Sequence, residues 1–120
     1  MRTILVVDDE PAITGLVEQI LTRRDFRVLA AHSSDVACEL ATRERVDLIV
    51  SDVHMPGLSG PDLLAFLRGR GITVPVVFIS GDLAPRTVER SLNVPDAAFL
   101  PKPFTPGELL ASVWSSLRQG

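Results

Sequence analysis

The sequence predicts one α/β domain over residues 1–120, built on a five-stranded parallel sheet with helices on both faces. Three observations support this fold class. The chain has 120 residues, which is the usual size of a single domain. Its apolar residues recur in short, β-branched runs that are typical of buried strands. These runs alternate five times with segments of helical periodicity, and right-handed crossover helices join parallel strands.

The first strand is predicted over Thr3–Val7, because this apolar run stops at three consecutive acidic residues. A helix is predicted to begin at Pro11, since apolar side chains then recur at helical spacing as far as Leu21. Two arginines follow, where the helix dipole is negative. Phe26–Ala31 is predicted to form the second strand.

The second helix has two candidate N-caps, Ser33 and Ser34, and is predicted to run to about Thr42. The third strand is predicted over Asp47–Ser51. The inward side chains of this helix are expected to be Val36, Leu40 and Ala41.

A loop rich in proline and glycine follows the third strand, and Ser59 can cap a third helix after it. Leu63, Leu64 and Leu67 share one face of that helix, which glycines end. The most apolar stretch of the chain, Val74–Ile79, is predicted to be a fully buried fourth strand.

A fourth helix is predicted over Pro85–Leu92 and a fifth strand over Ala97–Leu100. Thr105–Glu108 has the pattern of a capping box with proline at the first helical position, so the last helix begins there. Trp114 is expected to be half exposed at the edge of its inner face. That face consists of Leu109, Leu110, Val113 and Leu117.

Composition excludes several classes of function. The formal net charge is −3, which offers no broad positive field for nucleic acid. No apolar run is long enough to cross a bilayer, so no membrane association is expected. Cys38 is the only cysteine, which excludes an intrachain disulfide and favours a reducing compartment, the cytoplasm. The single lysine, Lys102, stands among eleven arginines and suggests a specific role.

Polar residues follow four of the predicted strands: Asp8 and Asp9 the first, Asp52 the third, Ser80 the fourth and Lys102 the fifth. Because parallel strands end at the same edge of a sheet, we expect these side chains to meet there. Three carboxylates repel one another unless a hard cation, most plausibly Mg²⁺, neutralises them. A hydroxyl and an ammonium beside such a cation are groups that a phosphoryl group requires. The pattern therefore predicts phosphoryl chemistry.

Four segments together make the sequence resemble the receiver (response-regulator) domain of two-component signalling systems. They are Ile4–Pro11, Asp52–Gly57 with Gly60, Ser80–Gly81 and Phe99–Phe104. The resemblance covers the whole chain and implies a flavodoxin-like (βα)5 fold, a doubly wound sheet with strand order 2-1-3-4-5.

The resemblance also assigns roles at the acidic edge, where the residues alone do not distinguish the three aspartates. It implies that Asp52 is the phosphoacceptor. Lys102 would pair with the phosphoryl oxygens, and the bond from Lys102 to Pro103 is expected to be the family's cis peptide. The implied cofactor is Mg²⁺, with a ligand set of Asp8, acting through water, Asp9, Asp52 and the backbone carbonyl of His54.

Further roles follow from the same resemblance. Ser80 would be the switch hydroxyl and Phe99 the switch aromatic, which here lacks the hydroxyl of the tyrosine often found in the family. His54, Gly81 and Asp82 would flank the phosphoryl group and control its hydrolysis. The output surface is expected on the fourth helix, the fifth strand and the fifth helix.

The predicted function is a phosphorylation switch, not an enzyme beyond self-phosphorylation and autodephosphorylation. Its partners would be a sensor histidine kinase or a histidine phosphotransfer protein, and a downstream protein or output domain absent from this chain. One alternative is an interaction module that is never phosphorylated. Another is a haloacid-dehalogenase-type aspartyl phosphotransferase, but that family has an Asp-x-Asp pattern after the first strand, which this chain lacks.

Overall fold

Five parallel strands form one sheet in the order β2-β1-β3-β4-β5, as predicted. The computed structural model describes residues 1–82, 84 and 97–119. The strands are β1 (Thr3–Val7), β2 (Arg27–Ala31), β3 (Leu48–Asp52), β4 (Val76–Ser80) and β5 (Ala97–Pro101). The helices within these residues are α1 (Pro11–Thr22), α2 (Ser34–Arg43), α3 (Gly60–Gly69) and a C-terminal helix (Pro106–Gln119). The helix predicted over Pro85–Leu92 lies outside the described residues.

Boundaries differ from the predicted ones by at most two residues. β3 ends at Asp52 and β4 at Ser80, so both side chains belong to strand ends and not to the loops that follow. β4 begins two residues later than expected. The carbonyl of Val74 instead accepts a hydrogen bond from Nη2 of Arg68 at 2.7 Å, which keeps this residue in the loop.

The core has two layers, because side chains alternate between the two faces of each strand. On β1, Leu5 and Val7 pack in the layer beneath α2 and α3. Ile4 and Val6 pack in the opposite layer, beneath α1 and the C-terminal helix. Both faces of the sheet are therefore covered, and its carboxyl edge is left for polar residues.

Of the three inward side chains predicted for helix α2, Ala41 is buried and Leu40 packs against the core, but Val36 does not point inward. Val36 was expected to point inward, but it is 43% exposed, whereas Ser34, Ala37 and Ala41 are buried. Ser33 is the N-cap and accepts a hydrogen bond from the amide of Val36 at 3.3 Å. Burial of Ser34 determines which side of α2 faces the sheet, because Ala37 and Ala41, three and seven residues later, lie on the same side of the helix.

The C-terminal helix begins with the predicted capping box. The Thr105 amide donates to Glu108 Oε1 at 2.9 Å, and the Glu108 amide donates to Thr105 Oγ1 at 3.1 Å. Trp114 is 41% exposed, as expected. Its ring lies 5.1 Å from that of Phe26 and 5.8 Å from the Arg2 guanidinium, near the amino-terminal edge of the sheet. In the described part of the chain, no helix has the length and apolar character needed to span a membrane.

Candidate functional site

Four acidic side chains gather at the carboxyl edge of the sheet. Asp8 follows β1 and Asp52 ends β3, the strand paired with β1. One carboxylate oxygen from each of Asp8, Asp9, Glu10 and Asp52 lies within 4.8 Å of the others. The structure therefore brings together the three aspartates selected from the sequence. Glu10 was not selected, although its position directly after Asp9 could have indicated it.

The cluster combines buried and exposed carboxylates. Asp8 is fully buried and Asp52 is 6% exposed, whereas Asp9 and Glu10 are exposed. The Asp8 Oδ1 atom accepts a hydrogen bond from the Glu10 amide at 2.9 Å, which folds the segment after β1 back over the strand end. An all-oxygen donor set of this kind suits a hard divalent cation.

The ammonium group of Lys102 lies among these carboxylates. Its Nζ atom lies 3.3 Å from Asp8 Oδ2, 3.6 Å from Asp52 Oδ2 and 4.0 Å from Glu10 Oε1. Its amide donates to the Ser80 carbonyl at 2.8 Å, which joins the end of β5 to the end of β4. The bond from Lys102 to Pro103 is cis, as expected.

Burial, the largest cause, and the neighbouring Asp8 carboxylate raise the pKa of Asp52 above the ordinary value of 3.8. Lys102 and the backbone amides of His54 and Val53 act in the opposite direction. The His54 amide lies 3.3 Å from Asp52 Oδ1. Because burial and Asp8 prevail, the ionised form of Asp52 is disfavoured relative to that of an exposed aspartate.

Ser80 is buried at the end of β4. Its Oγ atom accepts a hydrogen bond from the Asp82 amide at 3.0 Å, so the hydroxyl proton is not used in that bond. A Cβ atom at Gly81 would lie 4.0 Å from the Lys102 Cβ, which places this glycine beside the lysine. Phe99 is half-buried on β5 opposite Phe78 and packs against the core layer beneath α2 and α3.

His54 and Asp82 face each other across the top of the site. His54 Nε2 lies 3.0 Å from Asp82 Oδ2, and both side chains are largely exposed. The pair joins the loop after β3 to the segment after β4. Both residues were predicted to flank a phosphoryl group, and their side chains lie within hydrogen-bonding distance of each other.

An apolar groove adjoins the acidic cluster. It encloses about 300 Å³ and is lined by Ile13, Leu16, Lys102, Pro103 and Phe104. Lys102 lines the groove with its side chain and reaches Asp8 and Asp52 with its ammonium group. The groove and the acidic cluster therefore share Lys102.

Comparisons with known proteins agree with this geometry. The family model described as "Response regulator receiver domain" matches residues 4–114. The transcriptional regulatory protein CpxR of Escherichia coli is 36% identical over 99% of this chain, and its counterpart in Klebsiella pneumoniae is 37% identical. The alignments cover 50% of each relative, so the chain spans about half the length of these curated proteins.

Solved structures extend the comparison to three dimensions. The chemotaxis response regulator CheY4 of Vibrio cholerae matches with a TM-score of 0.89 and 27% identity, covering 97% of this chain and 98% of that one. The signal receiver domain of a signal transduction histidine kinase from Syntrophus aciditrophicus matches with a TM-score of 0.86 and 31% identity, covering 99% and 92%. The chain thus belongs to the response regulator receiver domain family of two-component systems.

Proposed function

We propose that this receiver domain is a phosphorylation-dependent switch, in which Asp52 accepts a phosphoryl group from a sensor histidine kinase or a histidine phosphotransfer protein. The observation that carries the proposal is the setting of Asp52. It is a nearly buried carboxylate, next to a second carboxylate and within 3.6 Å of the single lysine. Family membership supports a histidine kinase as the partner.

In the proposed reaction, a carboxylate oxygen of Asp52 attacks the phosphorus atom of a phosphohistidine. The new P–O bond forms as the P–N bond breaks, and the imidazole leaves with the electron pair and takes up a proton. The product on this chain is an acyl phosphate. Lys102 would transfer its ion pair from the Asp52 carboxylate to a phosphoryl oxygen, because its Nζ atom already lies beside the acceptor.

Mg²⁺ is the proposed cofactor. Asp8, Asp9, Asp52 and the backbone carbonyl of His54 would hold it, with Asp8 acting through water, and the all-oxygen cluster fits such an ion. When bound, Mg²⁺ would neutralise charge on the carboxylates and on the phosphoryl oxygens. The role of the carboxylates would be to hold the ion, because without it their negative charge would repel the phosphoryl donor.

The proposed output is a change of surface and not a released product. Ser80 uses an oxygen lone pair for the Asp82 amide, so its hydroxyl proton is available to a phosphoryl oxygen on Asp52. Movement of Ser80 toward that oxygen would leave space for Phe99 to move inward. The change would alter the surface formed by β5, the C-terminal helix and the helix predicted over Pro85–Leu92, which precedes β5 and lies outside the described residues.

The partners proposed here act on both sides of this switch. The apolar groove would contact the phosphodonor, because Lys102 lines it and also lies beside Asp8 and Asp52. CpxR is a transcriptional regulator twice as long as this chain, so the downstream effect is proposed to require a separate protein or an output domain outside this sequence. No direct contact with nucleic acid is proposed for these residues, and the proposed location is the cytoplasm.

Labelling by acetyl phosphate tests the proposal. The wild-type protein should gain the mass of one phosphoryl group in the presence of Mg²⁺ and should gain none when the ion is chelated before acetyl phosphate is added. The matched control is Asp52→Asn, an isosteric change that cannot form the acyl phosphate. Absence of labelling in the wild type would favour the unphosphorylated interaction module, and turnover of a small phosphate ester would favour the phosphotransferase.

A further inference from the structure

Ser34 is a buried hydroxyl that contacts the loop following Asp52. It is the first residue of α2 and is 4% exposed. Its Oγ atom accepts a hydrogen bond from the Leu58 amide at 3.3 Å. Helix capping does not require this hydroxyl, because the neighbouring Ser33 is the N-cap. The contact of Ser34 is therefore directed at the loop.

The loop is shaped to fit this hydroxyl. Gly57 has φ +83°, a conformation that side chains disfavour, and a Cβ atom there would lie 2.9 Å from Ser34 Oγ. The Ser34 hydroxyl thus occupies the space that a side chain at position 57 would need, next to the Leu58 amide that it binds. Residues 55–58 form the middle of this loop. Among the described residues, the hydrogen bond from the Leu58 amide to Ser34 links this middle part to another element, helix α2.

The two ends of the loop are held separately. The Val53 amide donates to the Ile79 carbonyl at 3.1 Å, and the Gly60 amide donates to the Val53 carbonyl at 2.8 Å. Between these anchors the loop carries His54, whose amide faces Asp52 Oδ1. A loop fixed at its ends and at its middle has fewer conformations than one fixed at its ends alone.

We propose that Ser34 is a positioning residue for Mg²⁺ binding. By holding the Leu58 amide, it keeps the loop in the conformation that presents the His54 carbonyl beside Asp52. This inference rests on the proposed function, which assigns that carbonyl to the metal. Affinity falls in proportion to the fraction of molecules in the competent conformation, so Ser34 would raise affinity without touching the ion.

Magnesium titration by calorimetry of the full chain tests the proposal. Ser34→Ala should raise the Kd for Mg²⁺ by up to about fivefold, the limit set by losing one ordinary hydrogen bond of about 1 kcal/mol. Hydrogen exchange without metal should show faster exchange of the Leu58 amide. Ser33→Ala is the matched control, because it removes a hydroxyl from the same helix terminus and leaves the loop contact intact. It should lower stability and leave the Kd and the Leu58 amide unchanged.

The outcomes distinguish a failure of the positioning role of Ser34 from a failure of the proposed function. If Ser34→Ala and Ser33→Ala both leave the Kd at the wild-type value, or both raise it equally, Ser34 has no positioning role and the proposed function stands. If the wild type binds no Mg²⁺, or Asp52→Asn binds it equally well, the proposed function fails and the role of Ser34 fails with it.

Discussion

The substitution Asp52→Asn should stabilise the folded protein at neutral pH when divalent cations are absent. Asp52 lies within 4.8 Å of Asp8, so their repulsion is about 3.5 kcal/mol at an effective dielectric constant of about 20. Lys102 at 3.6 Å supplies an opposing attraction of about 4.6 kcal/mol. These contributions nearly cancel, and the desolvation of a buried carboxylate, which costs several kcal/mol, remains. The uncharged asparagine side chain avoids that cost, and its Oδ1 atom can still accept the hydrogen bond from the His54 backbone amide.

We therefore expect a gain of about 1–3 kcal/mol, equivalent to a rise in Tm of roughly 4–12 °C for a chain of this length. The pH dependence has a defined sign. The pKa of Asp52 is raised above 3.8 in the folded state, so the folded protein holds this proton more tightly than the unfolded chain. Ionisation then costs stability as pH rises through the folded-state pKa. The advantage of the variant should vanish below about pH 3.8 and be complete at neutral pH.

Urea unfolding followed by circular dichroism measures this difference across pH in a chelating buffer. Mg²⁺ at about ten times its Kd should add about 1.4 kcal/mol to the wild type and less to the variant. Asp9→Asn is the control, since it removes an exposed carboxylate from the same cluster and should change stability by less than about 0.5 kcal/mol. A less stable Asp52→Asn variant at neutral pH, or a difference that does not change with pH, would refute the electrostatic reasoning.

Three further predictions concern the metal, the packing and the lifetime of the phosphoryl group. Asp9→Ala should raise the Kd for Mg²⁺ by about tenfold or more, because few protein ligands hold the ion; an unchanged calorimetric titration would contradict this. Gly60→Ala should destabilise the fold by about 1–3 kcal/mol, because a Cβ there would overlap the last carbonyl of β3 and lie 3.0 Å from the Phe78 ring; urea unfolding at wild-type stability would count against it. His54→Ala and Asp82→Ala should each change the rate of acyl phosphate hydrolysis without preventing phosphorylation, because the two side chains lie together beside the site; a hydrolysis rate that neither substitution alters would mean that both are bystanders.

The fold and the edge that carries the site could be predicted from local patterns. Each strand is an apolar run that ends in a polar residue, and parallel strands bring such ends together. This is why Asp8, Asp52 and Lys102 could be placed at one edge of the sheet from the sequence alone. The strand order came from the family resemblance, and the structure confirms it.

Details that depend on contacts between distant segments could not be predicted. The inward position predicted for Val36 was wrong because the hydrophobic pattern favoured it, whereas burial of Ser34 against the loop after β3 turns Ala37 inward. The contact of Trp114 with Phe26 joins residues far apart in sequence. Neither contact has a local signal, since each depends on how two elements pack.

Phosphotransfer profiling against the histidine kinases of the host organism tests the central claim most directly. Each kinase is first autophosphorylated with labelled ATP and then mixed with wild-type protein or with Asp52→Asn in the presence of Mg²⁺. The account predicts that at least one kinase rapidly loses its label to the wild type and that none transfers label to the variant. Transfer to neither protein from any kinase, or equal transfer to both, would contradict the assignment of Asp52 as the phosphoacceptor.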